Sequence, residues 1–318
     1  MNNIIRLPDS VIWDPNSRKI QLAFDYFDNI ITIDGLDYQL KYLNDIKGNK
    51  GGNSNVFILA NPDEPDNFQD QLIIKICNLP IEKSYYIYRR RFDREQLALL
   101  KAKKAGLKRI IRIYSTGIII IKKMRFPFYT MEKADWDLAN YLNEKELDIN
   151  QKLILILEII EGFIELHKIK IYHRDIKHDN IFLIKKGCKI GDLGLMRFRD
   201  DDIKFTKLEV GDRIGAFGWE SPEAMNKYLT EKLDSNKFDC EIDDRSDIFQ
   251  LGKLFWFIYQ GNLPIGQIKE EDFEINDKEL FQVIFAMLQH SKHPSRRIQS
   301  LTDLKGVIKR VAIERNIL

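Results

Sequence analysis

Cysteine is scarce. Cys77, Cys188 and Cys240 are scattered through 318 residues, odd in number and without a CxxC spacing, a pattern that argues against a disulfide framework and for a reducing compartment. Proline and glycine are also sparse, at 9 and 17 residues, which excludes collagen-like and low-complexity chains. Neither of the two most apolar stretches, residues 153–166 and 248–259, is uninterrupted: Glu158, Glu161, Gly162 and Lys253 break them. Both fall short of the roughly 18 continuous apolar residues of a spanning helix, so no membrane segment is expected. The first residues, Met1-Asn2-Asn3-Ile4-Ile5-Arg6, lack the apolar core of a signal peptide, and cytoplasmic residence is the expectation. Charge of one sign is missing as well: 50 basic against 48 acidic residues leave a net +2, so no nucleic-acid partner is expected. Nor does any GxxxxGK[ST] string occur, which excludes a P-loop.

What is present is an ordinary globular mixture, 44% hydrophobic and 31% charged, long enough for one large domain or two lobes. The first third reads as strands. Residues 29–41 alternate apolar and polar around Asp34-Gly35, the mark of a hairpin. Two further apolar segments, 56–60 and 72–77, flank the Pro- and Asp-rich loop 61–70. Helical spacing follows over 85–105 with Gly106 as its stop, then strand character returns at 117–121 and 127–131. Beyond residue 135 helices dominate: 137–142, then 150–167 with Asn150 as a possible N-cap, 248–260, and several across 272–317. Between them lies a polar segment, 171–223, that collects the chemically suggestive residues. This pattern predicts a small sheet-plus-helix lobe and a larger helical lobe with a ligand cleft between them.

The strongest motif is His173-Arg174-Asp175-Ile176-Lys177-His178-Asp179-Asn180, followed twelve residues after Asn180 by Asp192-Leu193-Gly194. On these residues the sequence resembles the eukaryotic-type protein kinases, whose mechanics need one base, two metal ligands and a phosphate-neutralising cation. The resemblance implies Asp175 as the base for an attacking hydroxyl, Lys177 as a point charge on the transferring phosphoryl group, and Asn180 with Asp192 as hard oxygen ligands of Mg²⁺. His173 and Leu193 are expected to pack. Upstream, Leu72-Ile73-Ile74-Lys75 resembles the family's Val-Ala-Ile-Lys strand. Lys75 would then grip the α- and β-phosphates of ATP with Glu95 as its partner, although Glu82 is a competitor for that pairing.

The nucleotide loop departs from the family. In Gly48-Asn49-Lys50-Gly51-Gly52-Asn53-Ser54-Asn55-Val56 the three expected glycines fall on Asn49, Gly51 and Ser54, and only the middle one is kept. Small residues at Gly51, Gly52 and Ser54 still allow backbone amides to approach phosphate. The segment Tyr129-Thr130-Met131-Glu132-Lys133-Ala134-Asp135-Trp136-Asp137 resembles the hinge. The resemblance makes Met131 the gatekeeper, puts the backbone of Glu132 and Ala134 on the adenine and Asp137 near the ribose, and sandwiches the base between Val56, Ile73 and Phe182. Ile73 and Phe182 stand where Ala and Leu are usual, which narrows the slot.

Downstream, Gly215-Ala216-Phe217-Gly218-Trp219-Glu220-Ser221-Pro222-Glu223 resembles the end of the activation segment. On that resemblance Glu223 pairs with Arg297 and Asp247 anchors the catalytic loop. Ala216 replaces the usual Thr that contacts the catalytic Asp and Lys. The family's phosphorylation position falls on Asp212, so Asp212 or Glu209 is a candidate permanent negative charge for Arg174, with Thr206 the remaining hydroxyl site. His290 and His293 lack a third ligand at finger-like spacing, and no zinc site is expected.

Together these residues imply an α+β bilobal protein kinase fold over residues 38–313, with a small lobe (38–132), a large lobe (133–313), an N-terminal extension (1–37) packed on the small lobe and a tail (314–318). The implied reaction is transfer of the ATP γ-phosphoryl group, with Mg²⁺, to Ser/Thr hydroxyls of protein substrates; Lys177, two residues after the base, favours Ser/Thr over Tyr. Two alternatives stay open: a small-molecule phosphotransferase of the same fold, and a pseudokinase scaffold.

Overall fold

The Asp34-Gly35 hairpin forms as the alternation predicts. β4 (Ile30–Ile33) and β5 (Leu36–Tyr42) pair antiparallel with Ile33 opposite Leu36. Asp34 and Gly35 both take positive φ, 51° and 83°, the two-residue turn whose twist matches the strands it joins. A computed structural model describes residues 3–43, 54–67, 71–82, 86–185, 187–198, 214–230, 238–290 and 297–317. Gly51, Gly52, Thr206, Glu209, Asp212 and His293 lie outside the described residues. The chain divides into two units, residues 1–103 with 111–133, and residues 104–110 with 134–318.

The first unit is built on one seven-stranded sheet. Its members are β1 (Asn3–Arg6), β4, β5, β6 (Ser54–Ala60), β7 (Leu72–Cys77), β8 (Ile113–Ile121) and β9 (Met124–Glu132), in the order β1-β8-β9-β7-β6-β5-β4. All pairs are antiparallel except β1 with β8. The two ends of this order meet, because the Asn3 amide donates to Asp34 Oδ1 at 3.0 Å and Asp34 N–H donates to Asn3 Oδ1 at 3.1 Å. Gly117 is required where β1 docks: a Cβ there would stand 2.2 Å from the Asn3 carbonyl oxygen and 2.6 Å from the Phe128 ring. Helix α1 (Tyr86–Lys104) completes the unit, and Gly106, at φ 68°, follows its end.

Strand alternation sorts the side chains into two sets. Phe57 and Leu59 of β6, Ile74 and Ile76 of β7, and Phe126 and Phe128 of β9 join one large core. Leu40, Ile119 and Ile121 join them, and the first 33 residues add Ile5, Leu7, Val11, Trp13, Ile20, Ile31 and Ile33. The hairpin of β2 (Ile12–Asp14) and β3 (Lys19–Gln21) is clamped by the buried Asn55, whose Oδ1 accepts from Ile20 N–H at 3.0 Å while its Nδ2 donates to the Arg18 carbonyl at 3.1 Å. Trp13 Nε1 donates to the Asn78 carbonyl at 3.0 Å. The segment ahead of residue 38 is thus part of the sheet and of its core.

The second unit is mainly helical. It holds α2 (Leu138–Glu144), α3 (Ile149–Lys168), α4 (Pro222–Thr230), α5 (Asp244–Gln260), α6 (Lys278–Met287) and α7 (Leu301–Glu314). The N-cap of α3 is Asp148, not Asn150. Its carboxylate accepts from Gln151 N–H at 2.8 Å, and the Gln151 side chain accepts from Asp148 N–H at 3.0 Å, a reciprocal capping box that Asn150 lacks the spacing to make. Short strands β10 (Trp136–Asp137), β12 (Ile181–Ile184) and β13 (Gly187–Ile190) form one small sheet, β11 (Ile171–Tyr172) and β14 (Arg197–Phe198) another. Helix α5 is buried on nearly every side and ends at Gly261 with φ 73°, the left-handed stop that glycine supplies. No helix among the described residues is long and apolar enough to cross a membrane. All three cysteines are free, and burial pushes the Cys77 thiol up to about 12.

Candidate active site

The set of side chains in the sheet unit that does not join the large core carries the candidate nucleotide residues. Ile58, Ala60 and Ile73 form a separate small cluster with Val56 and Met131 packed against it. Lys75, two residues after Ile73 on β7, shares its face by strand alternation. Its Nζ lies 2.9 Å and 2.7 Å from the two carboxylate oxygens of Glu95 on α1. The exposed Glu82 is not the partner. With the side chains only 15% and 6% exposed, this ion pair is shielded enough to hold one geometry. Ser54 is buried at the start of β6, opposite Cys77. Glu132 N–H is taken by the Arg112 carbonyl at 3.0 Å.

In the helical unit Ala134 is half-buried. Asp137 is the N-cap of α2: its oxygens accept from Asn140 N–H at 2.8 Å and from Asn140 Nδ2 at 2.7 Å. It also sits directly opposite Phe182 in the β10–β12 pairing.

The catalytic-loop residues converge. Asn180 Nδ2 donates to the Asp175 carbonyl at 2.7 Å and to Asp175 Oδ2 at 3.1 Å. Both partners can only accept, which fixes the amide orientation and makes Oδ1 the acceptor atom of Asn180. Lys177 Nζ stands 3.6 Å from the same Asp175 Oδ2. The other oxygen, Oδ1, is buried and has no hydrogen-bond partner among the described residues. A buried acceptor left open is costly unless a ligand fills it. Gly191 joins the loop to Asp192, for its N–H donates to the Asn180 carbonyl at 3.0 Å and its carbonyl lies 3.0 Å from His173 Nε2. Since Nδ1 of the same ring accepts from Asp175 N–H at 3.3 Å, the ring proton sits on Nε2. Asp192 is exposed and left-handed at φ 50°, and Arg174 is buried at φ 69°. Such backbone costs about 1–3 kcal/mol per residue and needs outside support.

For Arg174 that support comes from one face of α5. Asp247, wholly buried, accepts from Arg174 N–H at 3.0 Å through Oδ1 and from His173 N–H at 3.0 Å through Oδ2, with His167 Nε2 2.9 Å from Oδ2. Burial alone would push this carboxyl up, yet His167 and the two backbone donors outweigh it and hold the group below the usual carboxylate range. Three residues on, Gln250 Oε1 accepts from Ile176 N–H at 3.1 Å, and its Nε2 donates to the Trp219 carbonyl at 3.2 Å. Below α5, Arg297 and Glu223 form a buried ion pair, and Ser246 Oγ donates to the second Glu223 oxygen at 3.2 Å. Gln250 and His167 escaped the sequence reading. For Gln250 the available signal is its three-residue spacing from Asp247 and Lys253, which marks a single helical face.

The donor set fits a magnesium nucleotide. Mg²⁺ takes one or two hard oxygens from protein and the rest from phosphate and water, and Asn180 Oδ1 and the exposed Asp192 carboxylate are of that kind. No three His, Cys, Asp or Glu side chains among the described residues gather to hold a metal.

The family model described as "Protein kinase domain" matches residues 51–314. The chain is 30% identical over 163 residues to "Serine/threonine-protein kinase/endoribonuclease IRE1" of Oryza sativa subsp. japonica, covering 49% of this chain and 16% of that protein. It is 25% identical over 265 residues to "Dual specificity protein kinase TTK" of Mus musculus, covering 78% and 29%, and 30% identical over 143 residues to "TGF-beta receptor type-1" of Rattus norvegicus, covering 42% and 27%. The match thus spans less than a third of each of these relatives. With a family match across most of its length, a sheet unit and a helical unit, this chain belongs to the protein kinase family.

Proposed function

We propose that the chain is an ATP-dependent kinase that phosphorylates Ser/Thr hydroxyls of protein substrates in the cytoplasm. The observation that carries the reading is Asp175: one oxygen is held by Asn180 and Lys177 while the other is buried and open. That is the arrangement a general base needs, fixed on one side and free to accept on the other. In the step proposed, the acceptor oxygen forms its bond to the γ-phosphorus as the bond from that phosphorus to the β–γ bridging oxygen breaks. The hydroxyl proton passes to Asp175 Oδ1 and ADP departs. Lys177 stabilises charge on the transferring group. Lys75, held by Glu95, binds the α- and β-phosphates. Val56, Ile73, Met131 and Phe182 line the base, with backbone of Glu132 and Ala134 reading its edge and Asp137 near the ribose. Gly51, Gly52 and Ser54 cover the phosphates. Asn180 and Asp192 hold Mg²⁺, which supplies neutralisation of phosphate charge.

Lys177 supports Ser/Thr acceptors, and two of the relatives above carry serine/threonine or dual specificity in their names. The test is incubation of wild type and Asp175→Ala with labelled ATP, Mg²⁺ and dephosphorylated casein. Label on protein, lost in the variant by at least about a hundredfold, is the expected result. ATP turnover without protein label points to a small-molecule acceptor, and nucleotide binding without turnover to a scaffold; either outcome overturns the proposal.

A further inference from the structure

His178 lies inside the catalytic loop, between Lys177 and Asn180, and its side chain, 24% exposed, packs against two aromatic rings. It stacks on Phe257 of α5, with centroids 4.6 Å apart and planes at 32°. Its edge meets Trp219 at 5.3 Å and 77°, and Trp219 in turn lies 6.0 Å from Phe257. Nδ1 is buried without an aligned hydrogen bond among the described residues, although Asp179 Oδ1 is 3.1 Å away. The ring is therefore placed by packing.

Trp219 belongs to the loop 214–221, which Gln250 also ties to the catalytic loop, accepting from Ile176 N–H and donating to the Trp219 carbonyl. Ala216 offers only a methyl group, so that position sends no side-chain hydrogen bond to Asp175 or Lys177. Backbone carbonyls also tie the loop to α5: Gly218 accepts from Lys253 Nζ at 2.6 Å and Trp219 from Gln250 Nε2 at 3.2 Å. Lys253, Gln250 and Phe257 share a face of α5 with Asp247, which holds the other end of the catalytic loop. The His178–Trp219 contact closes this circuit directly from loop to loop.

Resting on the kinase reading above, we infer that His178 is a positioning residue: its ring, wedged between Trp219 and Phe257, sets the loop that receives the protein acceptor in register with Asp175 and Lys177. It touches no reacting atom. It acts through the backbone it shares with Lys177 and through Trp219, so its loss should weaken use of the protein acceptor more than use of ATP.

The experiment compares wild type, His178→Ala and His178→Phe in two assays. In steady-state kinetics with casein and ATP, His178→Ala raises KM for casein about tenfold, the size expected for a lost aromatic contact, and leaves KM for ATP within about twofold. His178→Phe, which keeps the ring, recovers most of the loss. In hydrogen exchange, peptides covering residues 214–221 exchange faster in the alanine variant and as in wild type in the phenylalanine variant. Unchanged exchange in His178→Ala, a phenylalanine variant as impaired as alanine, or an equal rise in both KM values overturns the inference. If neither wild type nor any variant labels protein, the kinase reading fails on its own account, and exchange of residues 214–221 still decides whether His178 couples the loops.

Discussion

In the sheet unit, Val56, Ile73, Lys75 and Met131 are held by what lies behind them: alternate residues of the same strands are buried in the large core, which leaves the candidate nucleotide residues on the opposite side. In the helical unit, Asp175, Lys177 and Asn180 lie in a segment with little regular structure, and Asp247 and Gln250 of one helix hold its backbone by buried hydrogen bonds. The first arrangement is non-directional and spread over many contacts. The second is directional and concentrated in a few atoms, so the two should fail differently.

The largest expected effect tests the first arrangement. Residues 1–22 contribute Ile5, Leu7, Val11, Trp13 and Ile20 to the core. At about 1.5–3 kcal/mol for each buried side chain, their removal costs on the order of 8–15 kcal/mol, comparable to the whole stability of a typical domain. A chain beginning at residue 23 should show no cooperative unfolding of the sheet unit by circular dichroism in urea. A truncated chain that unfolds cooperatively near the wild-type midpoint would show that the segment is merely attached.

Asp247→Ala tests the second arrangement. It strips two buried N–H groups and His167 of their acceptor, and should cost about 3–5 kcal/mol in urea unfolding, together with loss of phosphoryl transfer. Acid sharpens this. The folded carboxyl titrates below its unfolded value of about 3.9, so its contribution is complete above that pH and is lost as pH falls through the folded value. The stability gap between wild type and Asp247→Asn should therefore be constant at neutral pH and narrow below about pH 4. A gap that widens there would show that the carboxylate is not the stabilising form.

Smallest is Gly117→Ala. The added methyl must displace β1 or the Phe128 ring, and a cost of about 1–3 kcal/mol is expected. Faster hydrogen exchange confined to residues 3–6 would place the damage at the β1–β8 seam, whereas uniform loosening of the sheet unit would contradict the local reading.

The comparison also explains what could be read in advance. Strands at 56–60 and 72–77, the Asp34-Gly35 hairpin and the helix ending near Gly106 were legible because period and turn chemistry act over a few residues. The cap of α3 was misplaced by two positions, since Asn150 and Asp148 are both good caps and only the reciprocal bond with Gln151 separates them. Lys75 was visible from its strand, but its choice of Glu95 over Glu82 depends on how α1 lies against the sheet unit's own strands.

The sequence by itself determined the residue types and spacings that chemistry requires: a carboxylate, a cation and an amide within six residues, an Asp-Leu-Gly beyond them, and a lysine on an apolar strand. These are local facts, carried by neighbours along the chain. Only the tertiary structure decided that residues 3–33 complete a sheet, that one oxygen of Asp175 is tied and the other open, and that Asp247, Gln250, Lys253 and Phe257 form a single supporting face. The completed sheet and the support that α5 gives to the catalytic loop depend on groups tens of residues apart. Their pairing is set by burial and by the need to satisfy buried donors and acceptors, neither of which has a period along the sequence.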